Sequence, residues 1–135
     1  MEQKELNEIL ESHKRWLQGD DGECADLYEA NLAGMNLAGT NLAGTNLRYV
    51  DFAEAIGLSV LSVQINTSCE NRRIAYIPSL DIVTAGCFQG TFEEFEKRVE
   101  EEHKNDPFVL SRYRRVIAFL KREAEEDRKR LEQND

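Results

Sequence analysis

Six arginine and tyrosine side chains form the best candidate for ligand chemistry in this 135-residue chain. They fall into two groups: Arg72, Arg73 and Tyr76, then Arg112, Tyr113 and Arg115. Guanidinium forks bind phosphates through paired hydrogen bonds, and neighbouring aromatic rings suit nucleotide bases, so the two groups predict a nucleotide-binding site. We prefer the alternative that Arg112 and Arg115 pair with the acidic segment from Glu93 to Glu102 and hold two helices together.

Catalytic and metal-binding motifs do not accompany these residues. Cys87 with His103 is the nearest approach to a nucleophile and base, but their spacing does not support the pair, and we interpret Cys87 as a structural thiol in an apolar strand. Cys24, Cys69 and Cys87 contain no C-x-x-C, and His13 and His103 have no Cys or His close by. We therefore predict a protein that is not an enzyme and has neither a metal nor a cofactor.

Acidic residues are concentrated in two segments. The net charge is −9, which disfavours direct binding to nucleic acid or to an anionic membrane. Residues 1–23 and 92–106 each carry a net charge of −4, whereas residues 107–135 carry +2. The second acidic segment supplies candidate partner-binding carboxylates at Glu93, Glu94, Glu100 and Glu101. No apolar run is long enough for a transmembrane helix, and no signal-peptide pattern opens the chain, so we expect a cytoplasmic protein.

A five-residue repeat dominates the sequence between residues 25 and 54. Its units read ADLYE, ANLAG, MNLAG, TNLAG, TNLRY and VDFAE, with Leu or Phe in the centre of each. A period of five matches neither an α-helix nor an alternating strand, and Asn and Gly both disfavour a helix interior. Glycine at the fifth position provides a tight turn, so each unit predicts one short face of a coil whose turns stack on one another.

These units resemble the pentapeptide-repeat family, whose consensus is A-(D/N)-L-x-x. The resemblance implies a right-handed quadrilateral β-helix with four units per coil, so six units give about one and a half coils. Residues twenty positions apart would then lie on one face, which places Tyr28 beside Arg48 and Glu29 beside Tyr49. We predict Tyr28, Arg48 and Tyr49 as partner-binding residues, with a cation–π contact between Tyr28 and Arg48; a solvated face is the alternative.

Helices and strands are predicted on both sides of the coil. Leu6, Ile9, Leu10, Trp16 and Leu17 form an apolar face of an N-terminal helix, and T-x-x-E at Thr91 and Asp-Pro at Asp106 predict two helix starts. We therefore expect a mainly β fold with helical caps. Its segments are a capping helix (1–19), the coil (24–58), strands with a hairpin (59–90) and a helical pair (91–135).

The sequence leaves three functions open: inhibition of a host protein, sequestration of a nucleotide signal, and a purely structural oligomer. HKRWLQGDDGE, before the repeats, resembles the leader of pentapeptide-repeat proteins of phages and prophages, and residues 59–135 resemble a C-terminal module recurrent in phage proteins. The first expectation is therefore an interaction protein that inhibits a host defence or nucleic-acid-metabolism protein, as an acidic decoy if its helices are suitably arranged, in the host cytoplasm if phage-encoded. The alternative is an oligomer that sequesters a nucleotide immune signal. A homo-oligomer is expected because a short coil has open ends to cover.

Overall fold

The computed structural model describes residues 1–66 and 71–133, without the side chains of residues 66, 71 and 72. The helices are α1 (Gln3–Leu17), α2 (Phe92–Glu102) and α3 (Pro107–Gln133). The strands are β1 (Leu61–Asn66), β2 (Asn71–Ile77), β3 (Ile82–Ala85) and β4 (Phe88–Gly90), with a 3-10 turn at Pro78–Leu80. Within the described ranges, no helix is long and apolar enough to cross a membrane.

The repeats form a β-helix-like coil between α1 and β1. Three parallel bridges join residues twenty positions apart: Asp26 with Asn46, Asn31 with Asp51, and Asn36 with Ile56. Four units therefore complete one turn of the coil. The central leucines of the first five units point inward, with at most 1% of their surface exposed: Leu27, Leu32, Leu37, Leu42 and Leu47.

Two hydrogen bonds recur in each unit and explain the five-residue period. In the first, the side-chain Oδ1 of the Asn or Asp accepts a hydrogen bond from the backbone N–H two residues later. Asn36 accepts in this way from Ala38 at 2.9 Å. The central residue's carbonyl accepts from the N–H three residues later, as Leu37 does from Thr40 at 3.2 Å. The residue before that N–H has a positive φ, +72° at Gly39, where glycine is unstrained.

Helix α1 packs across the first turn of the coil. Leu6 is fully buried there, and Ile9 and Leu10 are partly buried, as their helical spacing predicts. The second fully buried residue of this face is His13, whereas Trp16 and Leu17 are exposed by 43% and 38%. The expectation that Trp16 is a packed cap residue therefore holds only in part: one side of its ring stacks on His13, with centroids 5.5 Å apart.

The four strands form one antiparallel sheet in the order β1-β2-β3-β4. The sheet lies between the coil and the two later helices, because alternate residues of β2 belong to different cores. Ala75 and Ile77 pack against the coil, whereas Ile74 packs against α2 and α3. The C-terminal part of the chain thus covers the second turn of the coil, and α1 covers the first.

The expected fold is confirmed in part. The β-helix-like coil and the flanking helices are present, but the protein is mixed α/β rather than mainly β. Helices of 15, 11 and 27 residues outweigh strands of 6, 7, 4 and 3, because most of the chain outside the coil is helical. The division into four segments stays a prediction.

Candidate protein-binding site

The structure separates Arg73 from the two predicted nucleotide-binding arginines of α3, Arg112 and Arg115. Arg73 lies on the coil side of β2, where its Nη1 is 2.9 Å from Asp51 Oδ1. Arg112 and Arg115 belong to α3, which packs on the opposite face of the sheet. The side chain of Arg72 lies outside the described residues. Successive side chains of β2 point to opposite faces of the sheet, and this alternation places Arg73 on the face away from α3.

The two tyrosines of that cluster are packing residues. Tyr113 is 1% exposed, and its ring stacks on His103 with centroids 4.8 Å apart. Tyr76 is half-buried, and its ring lies 4.7 Å from that of Phe92. The pKa of Tyr76 is raised, first by burial and next by Asp81, which keeps its hydroxyl protonated.

The preferred alternative expected Arg112 and Arg115 to join α2 to α3, but the ion pairs found between these helices in the described part of the chain come from other residues of α3. Arg114 joins the helices with two hydrogen bonds of 2.8 Å to Glu100, together with Lys121, which is 2.9 Å from Glu96. The guanidinium of Arg112 lies over the ring of Phe108, and Arg115 donates to Ser111 Oγ. Arg114 and Lys121 are seven residues apart and therefore share the side of α3 that is turned toward α2. Arg112 and Arg115 lie on a different side of the helix.

The four predicted acidic partner residues all have local partners. Glu93 pairs with Lys97 and Glu101 with Lys104, while Glu100 pairs with Arg114. Glu94 completes a capping box with Thr91, which confirms the predicted helix start. Hydrogen bonds to Thr91 lower the pKa of Glu94, and those from Arg114 lower the pKa of Glu100. These carboxylates are therefore engaged within the protein and do not form an array of bare charges.

Tyr28, Arg48 and Tyr49 do lie together, at one corner of the coil. The tyrosines are 48% and 50% exposed, and their rings meet edge to face with centroids 5.5 Å apart. The backbones of the two turns are joined here, since the N–H of Glu29 donates to the Arg48 carbonyl at 3.0 Å. We call Tyr28, Arg48, Tyr49 and Cys87 the aromatic corner.

Arg48 has a different role from the predicted cation–π contact. Its Nε donates to the carbonyl oxygen of Cys87 at 2.8 Å, and its Nη1 donates to Asn46 Oδ1 at 3.2 Å. The guanidinium thus joins the coil to the turn between β3 and β4, and the Tyr28 ring meets Tyr49 instead. Sequence reasoning missed this contact because residues 48 and 87 are connected only through the tertiary fold.

Within this corner, Cys87 lies at the protein surface rather than in a strand interior. It occupies the turn between β3 and β4 and is exposed, which corrects the interpretation of a buried structural thiol. Partial desolvation raises the pKa of Tyr28, with further contributions from Glu29, Tyr49 and Cys87. Among residues 1–66 and 71–133, no group of His, Cys, Asp and Glu side chains could hold a metal ion.

Tyr49 holds a backbone conformation that its side chain disfavours. Its φ is +62°, at the position where the second, third and fourth units have glycine. A bulky residue in the left-handed region costs about 1 kcal/mol, and such strain is concentrated at functional sites. The backbone conformation of Tyr49 therefore lowers the stability of the protein. Burial of the ring does not offset this cost, because half of the side chain is exposed.

His13, Gln3 and Gln89 are the main structural residues that sequence reasoning missed. The N–H of Ala25 donates to His13 Nδ1 at 3.0 Å, so the proton is on Nε2, which lies 2.8 Å from the Ala43 carbonyl oxygen. His13 follows Leu6 by seven residues on the buried face of α1, and this spacing was a usable signal. Nothing in the sequence indicated the roles of Gln3 and Gln89, which contact the coil from distant segments.

The fold and the site together define a short β-helix-like coil that is covered at both ends and presents an aromatic corner. Residues 25–56 match the family of pentapeptide repeats, in eight copies. The repeat resemblance is thereby confirmed for the coil, and the match does not extend to the sheet or to α2 and α3. No match is found among curated proteins or among solved structures, so the expected phage-type origin and C-terminal phage module gain no support.

Proposed function

We propose that this protein is a non-enzymatic binding protein that docks a protein partner on the aromatic corner. The observation that carries the proposal is the pair of half-exposed tyrosine rings, Tyr28 and Tyr49, held edge to face at a corner of the coil. Tyrosine and arginine are over-represented among the residues that dominate binding energy at protein interfaces. The strained backbone of Tyr49 is a further reason to assign the ring a role outside the fold.

Backbone and side-chain hydrogen bonds hold the corner in place, which favours binding. The bridge between Asp26 and Asn46 fixes the two turns, and Arg48 anchors them to the sheet through the Cys87 carbonyl. Side chains that are ordered before binding lose less conformational entropy when the complex forms. A partner with a shallow apolar groove and a hydrogen-bond acceptor for a tyrosine hydroxyl would complement this surface.

Two more specific expectations receive different support. Inhibition of a host defence or nucleic-acid-metabolism protein is compatible with a protein-binding corner, and it stays a prediction, as do the homo-oligomer and the cytoplasmic location. Nucleotide sequestration also stays a prediction, but the separation of Arg73 from Arg112 and Arg115 does not favour it. The acidic decoy is likewise disfavoured, since its four carboxylates are engaged within the protein.

The finer description of the coil is part of the same proposal. We take the coil to be a right-handed quadrilateral β-helix of about one and a half turns. Support comes from the twenty-residue spacing of the three bridges and from the family match over residues 25–56. A flat-sided coil of this kind would present the two tyrosines on neighbouring rungs of one corner.

The proposal is tested by a capture experiment with matched variants. Wild-type protein, Tyr28→Ala, Tyr49→Gly and Glu54→Gly are immobilised and exposed to a lysate of cells in which the protein is naturally made. Glu54 has a φ of +59° in the next unit, so Glu54→Gly relieves the same backbone strain away from the tyrosine pair. Each recovered protein is purified, and its affinity for every variant is measured by calorimetry.

We expect one protein to bind the wild type and Glu54→Gly equally, and to bind Tyr28→Ala and Tyr49→Gly at least about tenfold more weakly. The free energy of unfolding should change by less than about 1 kcal/mol in both glycine variants, because the removed strain offsets the added freedom of the unfolded chain. Equal binding by all four variants would overturn the proposal, and so would failure to recover any protein.

A further inference from the structure

Helix α3 has a second patterned face besides the one that enters the core. Phe108, Arg112, Arg115, Phe119 and Arg122 follow one another at intervals of four and three residues, which places them along one side of the helix. The two phenylalanines are 69% and 52% exposed. We call these five residues the Arg/Phe stripe. Its charge is +3 on a chain whose net charge is −9.

Two arginines of the stripe, Arg115 and Arg122, differ from neighbouring basic residues of α3 in their ionic partners. Arg114 and Lys121 form ion pairs with α2, whereas Arg115 and Arg122 form none with any carboxylate in the described ranges. Positive charge that is not neutralised within the fold attracts an acidic ligand, and an arginine fork binds a carboxylate through two hydrogen bonds.

Strand β1 is the edge of the sheet next to this stripe. It pairs with β2 on one side only, from Leu61 with Tyr76 to Asn66 with Asn71. No other backbone hydrogen bond in the described part of the chain involves residues 61–66. Alternate N–H and C=O groups of β1 therefore point away from the sheet, and the strand carries neither proline nor lysine that would block pairing with another strand.

An apolar groove joins the edge strand to the stripe. Val63 and Ile65 of β1 line it together with Val116 and Phe119 of α3, and Arg112 and Arg115 border it. A strand laid along β1 would direct every second side chain into this groove. A side chain at the centre of the groove would contact its apolar residues, and a side chain at the border would lie near a guanidinium group.

We propose that this groove binds an extended acidic peptide segment, which adds a fifth strand to the sheet at β1. The peptide backbone pairs with the free edge of β1, one apolar side chain fills the space between Ile65 and Phe119, and a flanking carboxylate binds Arg115. This is strand addition, in which backbone hydrogen bonds supply affinity and the groove supplies specificity. The site is separate from the aromatic corner and does not depend on it.

Two other occupants fit the observations less well. A second copy paired edge to edge through β1 would bring no carboxylate to Arg115 from the added strand, because Leu61–Asn66 contains neither Asp nor Glu. A single-stranded nucleic acid would use the arginines and phenylalanines, but it has no peptide N–H and C=O groups to pair with the strand edge.

The test uses fluorescence anisotropy with the full chain and a labelled peptide, Thr-Glu-Thr-Val-Thr-Glu-Thr, in which both glutamates and the valine share one face. One comparison peptide has lysine in place of glutamate. Another has the threonine after valine replaced by proline, which removes a backbone N–H. The protein variants are Arg115→Glu and Phe119→Ser, with Arg130→Glu as the matched control, since Arg130 is an exposed arginine of α3 that does not border the groove.

We expect the acidic peptide to bind the wild type and Arg130→Glu with affinities within about twofold of each other. Arg115→Glu and Phe119→Ser should weaken binding at least about tenfold, and the lysine and proline peptides should bind at least as poorly. Absence of binding up to about 1 mM peptide would overturn the proposal. So would equal binding of the proline peptide, preferential binding of a single-stranded oligonucleotide, or a dimer in light scattering that Phe119→Ser dissociates. Tyr49→Gly should bind the peptide as the wild type does. Loss of partner binding at the aromatic corner can therefore be told apart from loss of peptide binding at the groove.

Discussion

Two glutamine side chains complete the hydrogen bonding of the coil at its open ends. At the end covered by α1, Gln3 accepts from the N–H of Asn36 at 2.9 Å and donates to its carbonyl oxygen at 3.0 Å. At the end covered by the sheet, Gln89 donates to the Thr45 carbonyl oxygen and accepts from the Leu47 N–H, both at 2.7 Å. A primary amide has the same donor and acceptor pair as a peptide group, so each glutamine replaces a missing rung.

We expect Gln89→Ala to destabilise the protein by about 1–3 kcal/mol, because it leaves a backbone donor and acceptor inside the interface without their partner. Gln3→Ala should cost less, about 0.5–1.5 kcal/mol, since Asn36 is exposed and water can replace the amide. Urea denaturation measures both values, with Gln64→Ala, an exposed residue of β1, as the control. If Gln89→Ala matches the control, the amide does not complete the coil.

Individual residues were predictable from sequence only where their role is local. The central leucines repeat every five positions, and their burial follows from that period. The contacts of Gln89 and of Arg48 cross about forty residues of chain, and no periodicity specifies such a contact. The aromatic corner was predicted because the spacing of twenty is itself a consequence of the repeat.

Among the larger elements, the helix starts were the most predictable feature. Thr91 and Glu94 form the capping box, and Asp106 Oδ1 accepts from the Val109 N–H at 3.2 Å, as T-x-x-E and Asp-Pro indicated. The prediction that Arg73 joins Arg112 and Arg115 in one ligand site was wrong at this scale. Arg73 and Tyr76 are three residues apart in β2 and therefore point to opposite faces of the sheet, so only one of them can approach α3.

Two carboxylates of α2 should contribute to the loss of stability at acid pH. The pKa values of Glu94 and Glu100 are lowered in the folded protein, so each carboxylate contributes stability above its ordinary pKa of about 4.3 and loses it as the pH falls through the lowered value. Glu94→Gln keeps an acceptor for the Thr91 N–H but cannot titrate. We expect the wild type to be more stable than Glu94→Gln at pH 7 and the difference to vanish at low pH. Urea midpoints measured between neutral and acid pH test this, with Glu93→Gln as the control. A constant difference across the range would contradict it.

At the scale of the whole molecule, the sheet belongs to both hydrophobic cores. Ala75 and Ile77 of β2 pack on the coil, while Ile74 of the same strand packs on α2 and α3 with Val83 of β3. Neither core can lose β2 without exposing apolar surface of the other. The coil, which is too short to bury its own ends, is thereby joined to a conventional helix–sheet core.

This shared sheet predicts that the coil and the helices unfold in a single transition. Trp16 is the only tryptophan, and it reports on the first turn of the coil, since its ring stacks on His13 and lies beside Gly44. Far-ultraviolet circular dichroism reports mainly on the helices, of which α3 is the longest. In urea, both signals should give the same midpoint and the same slope. Ile77→Ala, on the coil side of the sheet, should lower both midpoints equally, at a cost of about 2–5 kcal/mol. Separate midpoints, or a shift of the fluorescence midpoint alone, would show that the repeat coil folds independently of the helices.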